Sequence, residues 1–175
     1  MTISTIPAFP RTQAASPPMT QAPRRTRRAA AILQALIDAG ESWADRAEYA
    51  TDSRWFARLG DVDGIELWLL SWLPGQGTDL HDHGGSAGAF TVLRGELREE
   101  VITSVRTLPV LSAREYAVGD IRPFGERHIH RVRNHGDVPA VSLHAYEPAL
   151  QTMTRYQLGH TGLEEIGIEK AGVAW

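Results

Sequence analysis

The stretch GQGTDLHDHGGSAGAFTVLRG, from Gly75 to Gly95, decides how the rest of the chain is interpreted. It contains His81 and His83, which are separated by one residue, so their imidazoles project from the same face of an extended strand. Two neutral imidazoles at this spacing suit a divalent ion such as iron, zinc, nickel or copper, and the spacing does not choose among these metals. The apolar run 89–93 that follows is typical of a buried strand ending in a turn. The stretch therefore predicts two metal ligands followed by a buried strand.

The composition is that of a soluble globular protein. The chain has 175 residues, 42% of them hydrophobic, which is enough for one domain with a substantial core. No apolar run approaches the ~18 residues of a membrane span, so no membrane partner is expected. Cysteine is absent, which excludes disulfides and favours a reducing compartment, here the cytoplasm.

Residues 1–28 differ in composition from the rest of the chain. They contain five arginines, five prolines and no acidic residue. A basic leader of this kind can indicate nucleic-acid binding or export, but it lacks the continuous apolar segment of a signal peptide. Its richness in Pro, Thr, Ser and Ala favours a disordered tail, and no nucleic-acid partner is expected.

Helical periodicity precedes a long series of short strand patterns. Apolar residues predict a helix over residues 29–39, and a second short helix is predicted over 41–50, so residues 29–50 form an N-terminal helical segment. Residues 51–150 are predicted to form an all-β antiparallel barrel or double-sheet jelly roll. Residues 151–175 are predicted to be a C-terminal extension without a functional role. The predicted strands are 55–59, 65–73, 89–93, 96–105, 115–118, 129–133 and 140–145.

The spacing of the first stretch resembles the first motif of the cupin superfamily, in which a glutamate ligand follows the two histidines. Gly88 stands at the position of that glutamate. Loss of the carboxylate leaves a bound ion with histidine ligands only, with more positive charge and with one more open position. Such a site could accept an anionic ligand, or it could be inactive.

A second histidine segment, GDIRPFGERHIHRVRN at residues 119–134, resembles the second cupin motif. His130 is the preferred third ligand because Asn134 follows it at the expected offset. His128 competes for this role, since it has the spacing from Gly125 that the general motif prefers. The two histidines would share a strand face, so only the local register separates them.

A third segment, VSLHAYEP at residues 141–148, places three polar side chains on one face of a strand: Ser142, His144 and Tyr146. On a buried face each unpaired polar group would cost ~1–3 kcal/mol, so we expect them to hydrogen-bond in series. Such a series would fix the phenol and tune its acidity. The alternative is an exposed edge strand with its polar face in water.

Together, the segments HDHGGSAGAF, HRVRN and SLHAYEP closely resemble the cysteine dioxygenase family, which are thiol dioxygenases with a non-haem iron in a cupin barrel, also called a double-stranded β-helix. The resemblance covers roughly residues 43–150. It implies one Fe(II) per chain, held by His81, His83 and His130.

The resemblance also implies the residues that bind substrate. In the family, a serine, histidine and tyrosine series lines the pocket, which maps to Ser142, His144 and Tyr146. An arginine ahead of the first motif pairs with the substrate carboxylate. Arg58 is the preferred candidate for this arginine and Arg54 the second.

Two departures from family patterns bear on function. Mammalian members have a cysteine at the position of Gly88 that links covalently to the tyrosine, so Tyr146 cannot be modified in that way here. Related enzymes that act on 3-mercaptopropionate carry a glutamine where the cysteine-specific ones carry the arginine. No glutamine lies between residues 49 and 64, which favours an α-amino acid substrate.

The predicted function is the oxidation of L-cysteine by O2 to cysteine sulfinic acid. The expected partners are a small thiol and O2, and the protein is expected to be a monomer. Arg58 would hold the substrate carboxylate, and Tyr146 would donate a hydrogen bond to the substrate or to oxygen. Trp72 and Phe90 are assigned to core packing, and Asp82 to a turn or the surface. The alternatives are a dioxygenase for another thiol, such as 3-mercaptopropionate, or a non-catalytic metal-binding cupin.

Overall fold

The computed structural model describes residues 24–103 and 109–173, and within them it contains one α-helix, one short 3-10 helix and eleven β-strands. The helix α1 spans Arg24–Asp38, and the 3-10 helix spans Trp43–Arg46. The strands are β1 (Phe56–Val62), β2 (Ile65–Trp72), β3 (Leu80–His81), β4 (Ala87–Arg94), β5 (Glu96–Ile102), β6 (Leu111–Ala117), β7 (Ile121–Phe124), β8 (His130–Arg133), β9 (Ala140–Glu147), β10 (Thr152–Leu158) and β11 (Leu163–Lys170).

The strands form two antiparallel sheets. One sheet has the order β1-β2-β9-β4-β7, and the other has the order β11-β10-β3-β8-β5-β6. Every pair of neighbouring strands in both sheets is antiparallel. This arrangement agrees with the predicted all-β double-sheet fold.

The central strands of the first sheet are buried on both faces because α1 covers the outer one. β2 (IELWLLSW) is buried along its whole length, and its side chains alternate between two cores. Trp68 and Leu70 belong to the core between the sheets, whereas Leu67 and Leu69 pack with the helix residue Leu33. The same alternation in β9 turns every second side chain of that strand towards the space between the sheets.

The helix begins earlier than the sequence analysis predicted. Residues 24–28, which were assigned to the disordered tail, form the first turns of α1 because their side chains find partners on the barrel. Thr26 is buried and its hydroxyl donates to the carbonyl oxygen of Phe124 (3.3 Å). Arg28 pairs with Glu147 at the end of β9. The rest of the predicted tail, residues 1–23, lies outside the described residues.

The second predicted helix, 41–50, is reduced to the short 3-10 helix. Trp43 and Ala44 in this helix still pack against the core beneath α1. Strand β5 ends at Ile102, and the last residues of the predicted strand 96–105 lie partly outside the described residues. Strands β3 and β7 were not predicted because each is short and carries a polar or proline residue.

The C-terminal segment is part of the barrel, which corrects the prediction of a separate extension. β10 pairs with β3, with Arg155 opposite His81, and β11 forms the edge of the second sheet. Every residue of β11 is exposed or half-buried, so this edge strand lacks the alternation of buried and exposed residues that indicates a strand.

Among residues 24–103 and 109–173, no helix has the length and apolar character that crossing a bilayer requires.

Candidate metal centre and substrate pocket

The structure brings the three predicted histidine ligands together between the sheets. His81 ends β3 and lies opposite His130 of β8, and His83 follows two residues later. The ring centroids are 5.1 Å apart for His81 and His83, 4.8 Å for His81 and His130, and 5.0 Å for His83 and His130. One nitrogen from each ring lies within 4.8 Å of the others, and all three residues are buried.

The hydrogen bonds of two of these imidazoles fix which nitrogen can bind a metal. The Nδ1 atom of His81 donates to the carbonyl oxygen of Asp79 (2.9 Å), because a carbonyl can only accept. The Nδ1 atom of His130 lies 2.8 Å from a carboxylate oxygen of Glu99. Both rings therefore leave Nε2 as the atom with a free lone pair.

The electrostatics keep the rings in the form that binds metal. Burial, and next the neighbouring His130, lower the pKa of both His81 and His83 well below the ordinary value. The imidazoles are therefore neutral at pH 7, as metal ligation requires. The Nδ1 atom of His83 is buried and has no hydrogen-bond partner among the described residues, and its ring stacks on Phe124 (centroids 4.7 Å apart). A cluster of three imidazoles fits a borderline divalent ion.

Both candidates for the third ligand, His128 and His130, contact Glu99, a residue that the sequence prediction did not include. This carboxylate is 1% exposed, and its Oε1 atom accepts hydrogen bonds from His128 Nε2 (2.7 Å) and His130 Nδ1 (2.8 Å). Burial alone would raise the pKa of Glu99, but the hydrogen bonds from both histidines and the charge of Arg122 outweigh it and lower that pKa. His128 is thus held by Glu99, and its ring stacks on Phe124 (centroids 5.3 Å apart).

The polar face of β9 points between the sheets and not into water. Ser142 Oγ lies 2.8 Å from His144 Nε2, and the other ring nitrogen of His144 lies 3.3 Å from the Tyr146 hydroxyl. The indole of Trp72 extends the series, since its Nε1 atom donates to Ser142 Oγ (2.9 Å). The edge-strand alternative does not hold, because β9 is the central strand of its sheet. Trp72, assigned to core packing alone, also belongs to this network.

A cavity of about 290 Å³ joins the histidine cluster to this polar series. Its inner wall includes His81, His130, His144 and Tyr146, together with Trp72 and Arg54. The C-terminal strands supply Met153, Arg155 and Glu169 to the same cavity. The segment after residue 150 therefore contributes to the pocket, contrary to the prediction that it has no functional role.

The structure separates the two candidate arginines. Arg54 is 5% exposed, lines the cavity and places its guanidinium carbon 4.3 Å from the centroid of the Trp72 ring. Burial lowers the pKa of Arg54 to about 10, so it remains charged at pH 7. Arg58, the preferred candidate, is 54% exposed and is not among the residues that line the cavity. Its Nε atom instead pairs with Glu66 (2.6 Å), and it lies on the edge strand β1 opposite Trp68 of β2.

Gly88 stands where no side chain fits. It lies opposite Tyr146 in the sheet, and an added Cβ atom would clash with the carbonyl oxygen of Ala145 and lie 2.7 Å from the Phe124 ring. Neither a carboxylate ligand nor a cysteine could occupy this position without a shift of the sheet. The packing around Gly88 therefore excludes an additional side-chain ligand from this position.

Asp82 has a larger role than the predicted turn or surface group. Its Oδ1 atom accepts from the backbone of Gly84 (3.0 Å) and Thr154 (3.1 Å), and its Oδ2 atom accepts from the Tyr156 hydroxyl (2.8 Å). Asp82, which lies between the two histidines, thus links this segment to β10 through hydrogen bonds. The side chain faces away from the ligand face, as the alternation predicted.

Comparisons with known proteins identify relatives of this chain. The sequence model of the family described as cysteine dioxygenase type I matches residues 19–158. Human cysteine dioxygenase type 1 is 30% identical over 136 residues, which cover 69% of this chain and 66% of the human protein. The rat protein of the same name is also 30% identical over 136 residues. The chain thus spans slightly less than two thirds of the length of these curated relatives.

Solved structures support the fold alone. A protein from Thermus thermophilus superposes with a TM-score of 0.52 at 23% identity, covering 61% of this chain and 93% of that protein. A Klebsiella pneumoniae protein described as having a double-stranded β-helix domain gives a TM-score of 0.50 at 15% identity, covering 73% of this chain and 96% of that protein. The prediction of a cupin-type double-stranded β-helix is confirmed.

Proposed function

The chain belongs to the cysteine dioxygenase type I family, as the resemblance of its three motifs indicated, and on that premise we propose that it is a thiol dioxygenase that converts L-cysteine and O2 to cysteine sulfinic acid. The proposed metal is one Fe(II), held by His81, His83 and His130. One observation supports the proposal most strongly: the three histidines, a buried arginine and the polar series of β9 border the same cavity.

The ligand set fits the proposed ion because three neutral imidazoles leave its full positive charge and part of its coordination sphere for a thiolate and O2. When bound, a ferrous ion would promote deprotonation of the substrate thiol and supply the electrons for O2 activation. The reaction then adds both oxygen atoms of O2 to the sulfur of a cysteine thiol.

Arg54 is the proposed carboxylate-binding group. Its guanidinium is charged and buried, lies in the cavity with the histidine cluster and is supported from one side by the Trp72 ring. A charge-assisted, bidentate pair with the α-carboxylate would hold the substrate in one orientation, so that its sulfur faces the metal ligands. Arg54 thereby replaces Arg58 in this role.

Tyr146 is the proposed hydrogen-bond donor of the site. Trp72 Nε1 donates to Ser142, so the Ser142 hydroxyl proton is available for His144 Nε2. His144 then donates from Nδ1 to the Tyr146 oxygen, which leaves the phenol proton directed at the cavity. Burial raises the pKa of Tyr146, so the phenol keeps that proton at pH 7. It can donate to the substrate carboxylate or to oxygen.

Replacing Tyr146 with phenylalanine is expected to lower kcat by about 10²-fold, because positioned proton donors contribute at least this much. Iron content should stay at one per chain, since Tyr146 is not a ligand. Steady-state oxygen consumption and iron analysis measure both quantities. Tyr49→Phe is the matched control, since Tyr49 is exposed and lies outside the cavity. Unchanged turnover in Tyr146→Phe would remove the phenol from the mechanism.

The substrate is tested by oxygen consumption of the Fe(II)-loaded protein with L-cysteine, cysteamine and 3-mercaptopropionate in parallel, with each product identified by mass. We expect the highest kcat/KM for L-cysteine and a product that gains two oxygen atoms. Cysteamine should react poorly because it lacks the carboxylate for Arg54. A preference for 3-mercaptopropionate would keep the chemistry and overturn the substrate. If the fully iron-loaded protein consumed no oxygen with any of these thiols, the function that remains would be that of a non-catalytic metal-binding cupin.

A further inference from the structure

We propose that Glu99 is a positioning residue that holds His130 in the orientation and tautomer needed to bind the metal, and that it selects His130 over His128 as the third ligand. The proposal rests on the three-histidine metal site of the proposed function. It does not depend on which thiol is the substrate or on the reaction itself.

The position of Glu99 in the second sheet explains how its side chain contacts His130. It lies on β5 opposite Val132 of the neighbouring strand β8, which begins at His130. Its side chain is 1% exposed, between the sheet and the metal centre. From there Oε1 contacts the Nδ1 atom of His130 (2.8 Å), on the opposite side of the ring from Nε2.

An ionised carboxylate decides the tautomer of the ring it contacts. A carboxylate has no proton to give, so His130 must donate from Nδ1, and the lone pair remains on Nε2. The negative charge also makes the imidazole a stronger ligand, as carboxylates do beside metal-binding histidines. Glu99 therefore adds both geometry and basicity to His130.

The second oxygen of Glu99 holds the carboxylate in place. Oε2 accepts from the Arg122 Nε atom (2.7 Å) and from the Tyr116 hydroxyl (3.1 Å). These donors come from β7 and β6, so the carboxylate is tied to three strands besides its own. With two donors on each oxygen, Glu99 cannot rotate without breaking hydrogen bonds in a buried site, where each lost bond costs ~1–3 kcal/mol.

The same carboxylate keeps His128 away from the metal. The Nε2 atom of His128 donates to Oε1 (2.7 Å), and that nitrogen is therefore not available as a ligand. His128 precedes β8 and stacks on the Phe124 ring, whereas His130 lies on β8 directly opposite His81. Glu99, His128 and His130 carry metal-binding atoms within 4.8 Å of one another, but hydrogen bonds among them occupy these atoms, which favours a supporting network over a second metal site.

Replacing Glu99 with glutamine tests the proposal directly. A glutamine side chain can accept on one side only, so it satisfies either the histidine pair or the pair formed by Tyr116 and Arg122. We expect metal binding to weaken by about 10- to 100-fold, the usual effect of losing the partner of a metal-binding histidine. The measurements are competition of the metal-free full chain with a chelator for Co(II) and Fe(II), and the visible absorption spectrum of the Co(II) protein.

Glu66→Gln is the matched control, because Glu66 is also a buried carboxylate on a central strand. It is 4% exposed and accepts from Arg58 (2.6 Å) and from the Leu150 amide (2.9 Å), and none of its hydrogen bonds with described residues involves a histidine. We expect its metal affinity and Co(II) spectrum to match the wild type even if its melting temperature falls. Equal weakening in both variants would show that loss of any buried carboxylate loosens the fold, and would overturn a specific role for Glu99.

A measurement on the wild type does not depend on whether a variant folds. Nitrogen-15 NMR of the metal-free, histidine-labelled protein should find the Nδ1–H tautomer at His130. Finding the Nε2–H tautomer there would overturn the proposal. Oxygen consumption stays a separate readout: a wild type that oxidises no thiol, combined with weakened metal binding in Glu99→Gln, would reject the proposed function and retain the role of Glu99.

Discussion

His83→Ala is expected to abolish metal binding and oxygen consumption together. His83 is one of the three proposed ligands, and two imidazoles cannot hold a divalent ion as the full set does. The expected loss of metal affinity exceeds about 100-fold, the upper effect of losing only an outer-shell partner. His83 is the most informative ligand to replace, because its Nδ1 atom has no hydrogen-bond partner among the described residues. Replacing its side chain therefore breaks no side-chain hydrogen bond among the described residues.

The experiment compares iron per chain after desalting, and turnover with L-cysteine, in His83→Ala and in His160→Ala. His160 is exposed and lies outside the histidine cluster, so the control should retain iron and activity. Circular dichroism establishes that both variants are folded. A His83→Ala protein that kept full iron and full turnover would remove His83 from the ligand set.

Arg54→Ala is expected to raise the KM for L-cysteine strongly and to lower kcat less. Truncating one partner of a buried, hydrogen-bonded charge pair costs roughly 2–5 kcal/mol, which corresponds to about 30-fold to several thousand-fold in affinity. The thiol would still reach the metal centre, but the carboxylate would have lost its partner. Steady-state oxygen consumption over a range of L-cysteine concentrations measures both constants.

The matched control for Arg54 is Arg58→Ala, four residues along the chain. Arg58 is 54% exposed and pairs with Glu66 outside the cavity, so its loss should leave the KM unchanged. Cysteamine provides a second comparison because it has no carboxylate. Arg54→Ala should reduce the difference in kcat/KM between L-cysteine and cysteamine. If instead Arg58→Ala raised the KM and Arg54→Ala did not, the carboxylate site would belong to Arg58.

The closely spaced parts of the site could be predicted from sequence because strand geometry is local. Residues two apart on a strand share a face, so the proximity of His81 and His83 follows from their spacing. The same rule put Ser142, His144 and Tyr146 in one series, which the structure shows as hydrogen bonds. The run of short strand patterns separated by turn residues predicted the all-β fold for the same reason.

The N-terminal boundary and the C-terminal strands could not be predicted in this way. The first turns of α1 lack an apolar stripe and are held by contacts such as the Thr26 hydroxyl with the carbonyl of Phe124. β10 gains its place by pairing with β3, a strand from a distant part of the chain. Contacts between distant segments leave no periodic trace in either segment alone.

The sequence by itself determined the barrel, the HxH pair and the polar face of β9, since each depends on neighbouring residues and on the period of a strand. Only the tertiary structure decided which of two arginines lines the cavity and which of two histidines lies with His81 and His83. Arg54 precedes β1 and lines the cavity, whereas Arg58 on β1 pairs with Glu66, and Glu99 reaches His130 from another strand. The pairing of strands across the barrel determines where a side chain points and which charged residue it contacts. A short sequence motif does not contain the information about that pairing.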